Sequence, residues 1–337
     1  MRSYNRPVKT PALLTVAAAV VGVLWVCPPL AAQAWKTPRT PWGEPDLQGV
    51  YSNRSITPFE RPADVGNREF FTREEMIALE KQAQQAGGDE NRSKGTDADV
   101  ARAYNDFWWD RGTKANSMRT SLVVDPPDGR VPALTDDARR REALEGRRPA
   151  FRGTGATGRG ADTWLDRSLL ERCITRGMPN VMSPSVYNNN YRIVQSPGYV
   201  AIQIEMLGGA RVIPTDGRTP ISASIRQLMG HSIGHWEGDT LVVETTHFTD
   251  KVLYRGAAEN LKLVERLTRV ASGEIDYRVT ISDPTTFTRP WTLAIPYVDT
   301  GEAMYEYACH EGNYGLAGIL DGARAEERAA AAAAGKK

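Results

Sequence analysis

Between Tyr191 and Tyr307 the chain divides into seven or eight short segments, rich in β-branched and aromatic residues, in which apolar and polar positions alternate. Val200, Ile202, Ile204 and Met206 fall on one face of their segment, with Gln203 and Glu205 on the other. Ile275, Tyr277, Val279 and Ile281 alternate with Asp276, Arg278 and Thr280, and Trp291, Leu293, Ile295 and Tyr297 continue the same period. A period of two is that of a strand with one face buried. The connections are short: Ser196-Pro197-Gly198, Gly208-Gly209, Glu237-Gly238-Asp239 and Ala271-Ser272-Gly273. Such links join antiparallel neighbours, because parallel pairing needs a long crossover. A meander of this length protects its edges by closing into a barrel or stacking as a sandwich. An up-and-down barrel over 166–322 is therefore expected.

The preceding region, 35–165, lacks this alternation. Pro38, Pro41, Pro45, Pro58 and Pro62 rule out a regular helix across its first part, which is expected to run extended over the main domain. Thr72-Arg73-Glu74-Glu75 is a capping box that opens a helix stopping at Gly87-Gly88. Ser121–Val124 predicts a strand ended by the turn Asp125-Pro126-Pro127-Asp128-Gly129, and Thr135-Asp136-Asp137 caps a charged helix through about Glu145. Gly153-x-Gly155-x-x-Gly158 matches a dinucleotide fingerprint by letter. With no strand before it and no helix after it, we read it as a loop. An Ala-rich tail, 323–337, is expected to be helical or disordered.

The first 34 residues have the form of a cleavable export signal. Arg2, Arg6 and Lys9 precede an apolar run from Ala12 to Leu30, no acidic residue occurs before Glu44, and Ala32-Gln33-Ala34 supplies a small-x-small cleavage site. Removing them moves the formal net charge from +1 to −2. With both signs interspersed, the mature chain has no electrostatic footprint for nucleic acid and no further run of membrane-spanning length. A small-molecule substrate or ligand is the expected partner, in the periplasm or outside the cell. Cleavage leaves Cys173 and Cys309, which in an oxidising compartment are read as one disulfide closing a long loop.

Candidate chemistry concentrates in the β half. Glu205, Glu244 and Glu265 lie within strands beside apolar residues, where burial makes a carboxyl available as a general acid or base. His247 or His310 is the expected proton-transfer partner; the structural alternative is an ion pair with Arg192, Arg211 or Arg266. Tyr187, Asn189, Asn190 and Glu311 belong to segments dense in aromatic and hydrogen-bonding groups, as small-molecule pockets are. Trp108 and Trp109 would cover such a pocket as a lid or pack the N-terminal region onto the barrel. His231, His235 and His247 are an alternative zinc or copper set, two from one short segment and one from the next.

The strings TPWGEPDLQGVYSN, RCITRGMP, YNNNYRIVQSPGYV, HWEGDTLVVETTHFTD, ENLKLVERLTRV, DPTTFTRPWT and YEYACHEGNYG, which span nearly all of the mature chain, resemble a large family of secreted, mostly uncharacterised bacterial proteins. The resemblance implies an exported protein with a lipocalin/calycin-like β-barrel and an irregular, partly helical N-terminal half packed on it. It names no activity. This chain departs from the family pattern at His247 and His231, where asparagine and aspartate are expected, so the resemblance transfers Glu244, Glu265, His310 and Glu311 but no metal set. The expected function is cofactor-independent acid–base chemistry, as in a lyase, isomerase or hydrolase, on an oxygenated apolar or sugar-derived molecule. The alternatives are a ligand carrier without catalysis and a His-ligated metalloenzyme.

Overall fold

The computed structural model describes residues 35–86, 112, 114–144, 161–185 and 187–335. Residues 1–34, expected from sequence to be an export signal, Trp108, Trp109 and most of the Gly-rich loop lie outside them. Ten strands form one antiparallel sheet: β1 (Gly49–Ser52), β2 (Val123–Asp125), β3 (Asn190–Ser196), β4 (Tyr199–Ile204), β5 (Ala210–Pro214), β6 (His231–Glu237), β7 (Thr240–Thr246), β8 (Lys262–Ala271), β9 (Glu274–Ser282) and β10 (Trp291–Asp299). The pairing order is β5-β4-β3-β1-β10-β9-β8-β7-β6, with β2 on the other end of β10. The two ends, β5 and β6, lie side by side, so the sheet is a nearly closed barrel. The expected meander is what the chain forms. Its circuit is completed by β1 and β2, which come from the region 35–165, ahead of the expected start of the barrel.

Within the strands the predicted faces are the observed ones. However, β4 ends at Ile204, so Glu205 and Met206 lie beyond it at a short 3-10 turn, and Glu205, expected on the exposed face, is buried. Val200, Ile202, Ile275, Tyr277, Val279, Ile281, Trp291, Leu293, Ile295 and Tyr297 are all wholly buried. Two-residue links join β3 to β4 and β6 to β7, with Gly198 and Gly238 at positive φ. Outside the barrel, α1 (Arg73–Ala86) carries the reciprocal capping box: Glu75 N donates to Thr72 Oγ1 at 3.2 Å and Thr72 N to a Glu75 carboxylate oxygen at 2.8 Å. Ala138 N donates to Thr135 Oγ1 at 3.1 Å to cap α2 (Asp136–Leu144). The tail is the helix α3 (Tyr314–Ala334), which begins ahead of the expected boundary at 323 and has no buried residues. Among the described residues no helix is long and apolar enough to cross a membrane. Cys173 and Cys309 form a disulfide.

The barrel is filled rather than hollow. Residues 175–183 are all buried, and a short 3-10 turn at Asn180–Met182 turns its carbonyls into one end of the interior. Tyr297 Oη donates to Met182 O at 2.6 Å, Tyr191 Oη to Val181 O at 2.9 Å, and Asn53 Nδ2 to Met182 O at 3.0 Å. The rings of Tyr191 and Tyr297 stack at 4.9 Å, with Tyr277 beyond at 5.0 Å. This segment is a plug, held by hydrogen bonds that satisfy its carbonyls and the phenols together.

At the seam Gly234 lets β6 approach β5. A Cβ there would meet Ile213 Cγ2 at 3.0 Å, Thr215 Cγ2 at 3.1 Å and Leu241 Cδ1 at 3.3 Å. Gly234→Val should therefore destabilise the protein by about 1–3 kcal/mol through overpacking, measured by urea denaturation.

Candidate functional site

Arg211 on β5 and Glu265 on β8 point inward by strand alternation and meet inside the barrel. Arg211 Nη1 donates to Glu265 Oε1 at 2.9 Å and Nη2 to Oε2 at 2.6 Å, a bidentate pair. Tyr277 Oη donates to Oε1 at 2.9 Å and Thr245 Oγ1 to Oε2 at 3.2 Å. Arg211 Nη2 also reaches Ser232 Oγ at 3.1 Å, across the seam on β6. Burial works to lower the Arg211 pKa, but the Glu265 carboxylate outweighs it and holds the guanidinium charged more firmly than usual. Burial, followed by the charge of Glu265, pushes the Tyr277 phenol well above its ordinary range. Both carboxylate oxygens of Glu265 already accept two donors each, which uses about all of their lone-pair sites. Glu265 is thus the ion-pair alternative foreseen from sequence, and it has no lone pair left to accept a substrate proton.

The other expected catalytic residues do not gather around it. Glu244 lies on the outer face of β7, where it pairs with Lys262 at 2.5 Å with both side chains about half exposed. His310 and Glu311 are exposed just beyond Cys309, so His310 cannot partner the wholly buried Glu265. His247, at positive φ just after β7, comes within 6.0 Å of the His231 ring. Burial, then the His247 ring, lowers the His231 pKa. His235 is on the same outer face as His231 but further along β6, where it pairs with Glu237 at 3.1 Å. The three histidines therefore share no site, and no group of three or more metal-ligating side chains occurs among the described residues. The rings of Tyr187 and Tyr307 stack at 6.3 Å. Asn189 is wholly buried and braces its own loop, accepting from Ser185 N at 2.7 Å and donating to Ser185 O at 3.1 Å. Asn190 starts β3, and its backbone N donates to the buried Glu205 at 3.1 Å.

A concavity among the described residues lies at the end of the barrel, between the plug and the seam. A cavity of about 140 Å³ is lined by Ile174, Thr175 and Val181 from around the plug, Ile204 and Met206 at the end of β4, and Leu228 and Met229 ahead of β6. Arg211 lines it too, and its Nε is a buried donor with no partner among the described residues. The walls are apolar and the one charged lining group belongs to the interior pair. Sequence reasoning missed these residues because most lie on loops without periodicity.

The fold and this geometry define a plugged, nearly closed antiparallel barrel with an apolar end pocket floored by a guanidinium. A scan against protein-family models and searches of the curated proteins and the solved structures found no match to the chain.

Removing one partner of a buried pair leaves the other uncompensated. Arg211→Met and Glu265→Leu should each cost about 3–5 kcal/mol of stability at neutral pH, whereas the two combined should cost less than either alone, as read from a double-mutant cycle in urea.

Proposed function

We propose that the protein is an exported carrier that holds one small, mainly apolar molecule bearing a single oxygen acceptor in the end pocket. The observation that carries this reading is a largely apolar cavity lined by Arg211, whose Nε is a buried donor without a partner among the described residues. The size fits. An apolar protein cavity of about 150 Å³ takes up benzene, and this one is about 140 Å³. An acceptor oxygen on the ligand would satisfy Arg211 Nε, while the hydrocarbon part replaces water against Ile204, Met206 and Met229. The acid–base reading is less well supported, since Glu265 is saturated with donors and Glu244, His247 and His310 lie apart from it and from the pocket lining. The disulfide agrees with an oxidising compartment, as does the signal-like N-terminus.

Purified protein incubated with a cell extract, desalted and analysed by mass spectrometry should retain a small molecule, chemically unchanged, at one per chain. Leu228→Trp, which fills the pocket from a half-buried wall position, should lose it. Consumption of a metabolite with nothing retained would contradict the carrier reading and restore the acid–base one.

A further inference from the structure

Three arginines are buried among the described residues, and two of them are accounted for. Arg61 donates to Thr120 Oγ1 at 3.0 Å, Asn67 O at 3.1 Å and Pro127 O at 2.9 Å. Arg211 has Glu265. The third, Arg176, is 7 % exposed; among the described residues its guanidinium makes no hydrogen bond and no ion pair, and its nitrogens keep a small opening to solvent. Burying a charge without a counter-ion is strongly unfavourable, so a fold that keeps one buried has a reason to supply the opposite charge from outside.

The surroundings say what kind of charge. Arg176 starts the plug three residues after Cys173, and its electrostatic neighbours are the phenols of Tyr191, Tyr187 and Tyr307. No carboxylate and no second cation is among these neighbours. Tyr187 and Tyr307 are half-buried and stacked at 6.3 Å, and the disulfide ties the segment carrying Tyr307 to the base of the plug. One guanidinium balances one negative charge, and its fork matches a planar two-oxygen anion; a dianion would leave excess charge buried. Aromatic walls favour a flat, apolar body on that anion.

We propose that Arg176, with Tyr187 and Tyr307 beside it, forms a binding site for an organic monocarboxylate with an aromatic or similarly flat body. Arg176 does not line the end pocket, so this site stands independently of the carrier reading.

Benzoate is the probe, with its neutral isostere benzamide and with inorganic phosphate as controls, titrated into the full mature protein by calorimetry and followed by thermal shift. Saturable benzoate binding is expected. Benzamide and phosphate should each bind at least about tenfold more weakly, and Arg176→Met should abolish the benzoate heat. Arg176→Lys, which keeps the charge but loses the fork, should fall in between. Leu228→Trp, which blocks the end pocket, should leave benzoate binding unchanged; loss in this variant together with retention in Arg176→Met would place the ligand in the other pocket and overturn the assignment. Should Arg176→Met not fold, the wild-type comparison decides: stabilisation by benzoate but not by benzamide supports the site, and equal or absent effects overturn it. Phosphate binding as tight as benzoate would overturn the carboxylate class.

Discussion

The barrel depends on a charge pair placed where its hydrogen-bonded ladder runs out. Strands β5 and β6 lie together without pairing, and Arg211 crosses from β5 to Glu265 on β8, with Ser232 on β6 and Thr245 on β7 taking part. Taking both ions out of water costs several kcal/mol each, and only bidentate geometry with every remaining lone pair occupied offsets it. An apolar pair of equal volume would remove that cost, but it would not specify which strands meet at the seam. The pair is better understood as a device of register and closure than as a source of net stability.

The same pair decides where binding can occur. With Arg211, Glu265 and the tyrosine column filling the interior, and residues 175–183 sealing one end, little room is left for a ligand deep in the barrel. Among the described residues a space remains where plug and seam meet, and one wall of it is the edge of the pair itself. Loss of the Glu265 charge would therefore loosen the seam and the pocket floor together. Arg176 differs from Arg211 in kind: the described residues provide a partner for one guanidinium and none for the other. The unsatisfied group, not the satisfied one, is where an outside molecule has most to contribute.

Much of the fold was legible because burial on one face of a strand imposes a two-residue period, and the runs from Val200 to Ile204 and from Ile275 to Ile281 obey it closely. The capping residues Thr72 and Thr135 and the lone cysteine pair were also readable, since each acts locally or by elimination. Strand β1 was not, because four residues carry too little period to stand out, and its burial comes from its neighbours β3 and β10. The site was less visible still. Glu244 and Glu265 look alike as letters, yet one faces Lys262 in solvent and the other Arg211 in the interior. The plug has no period at all; its carbonyls are buried because phenols from distant strands satisfy them, and nothing in the string around Arg176 announces that.

Hydrogen–deuterium exchange resolved by strand, comparing the wild type with Glu265→Gln, tests the closing role of the pair most directly. The expected result is faster exchange concentrated in β5 and β6, the two edges at the seam, while β8, β9 and β10 stay protected. Unchanged protection at the seam, or a uniform rise across all strands, would mean that the barrel closes without the pair.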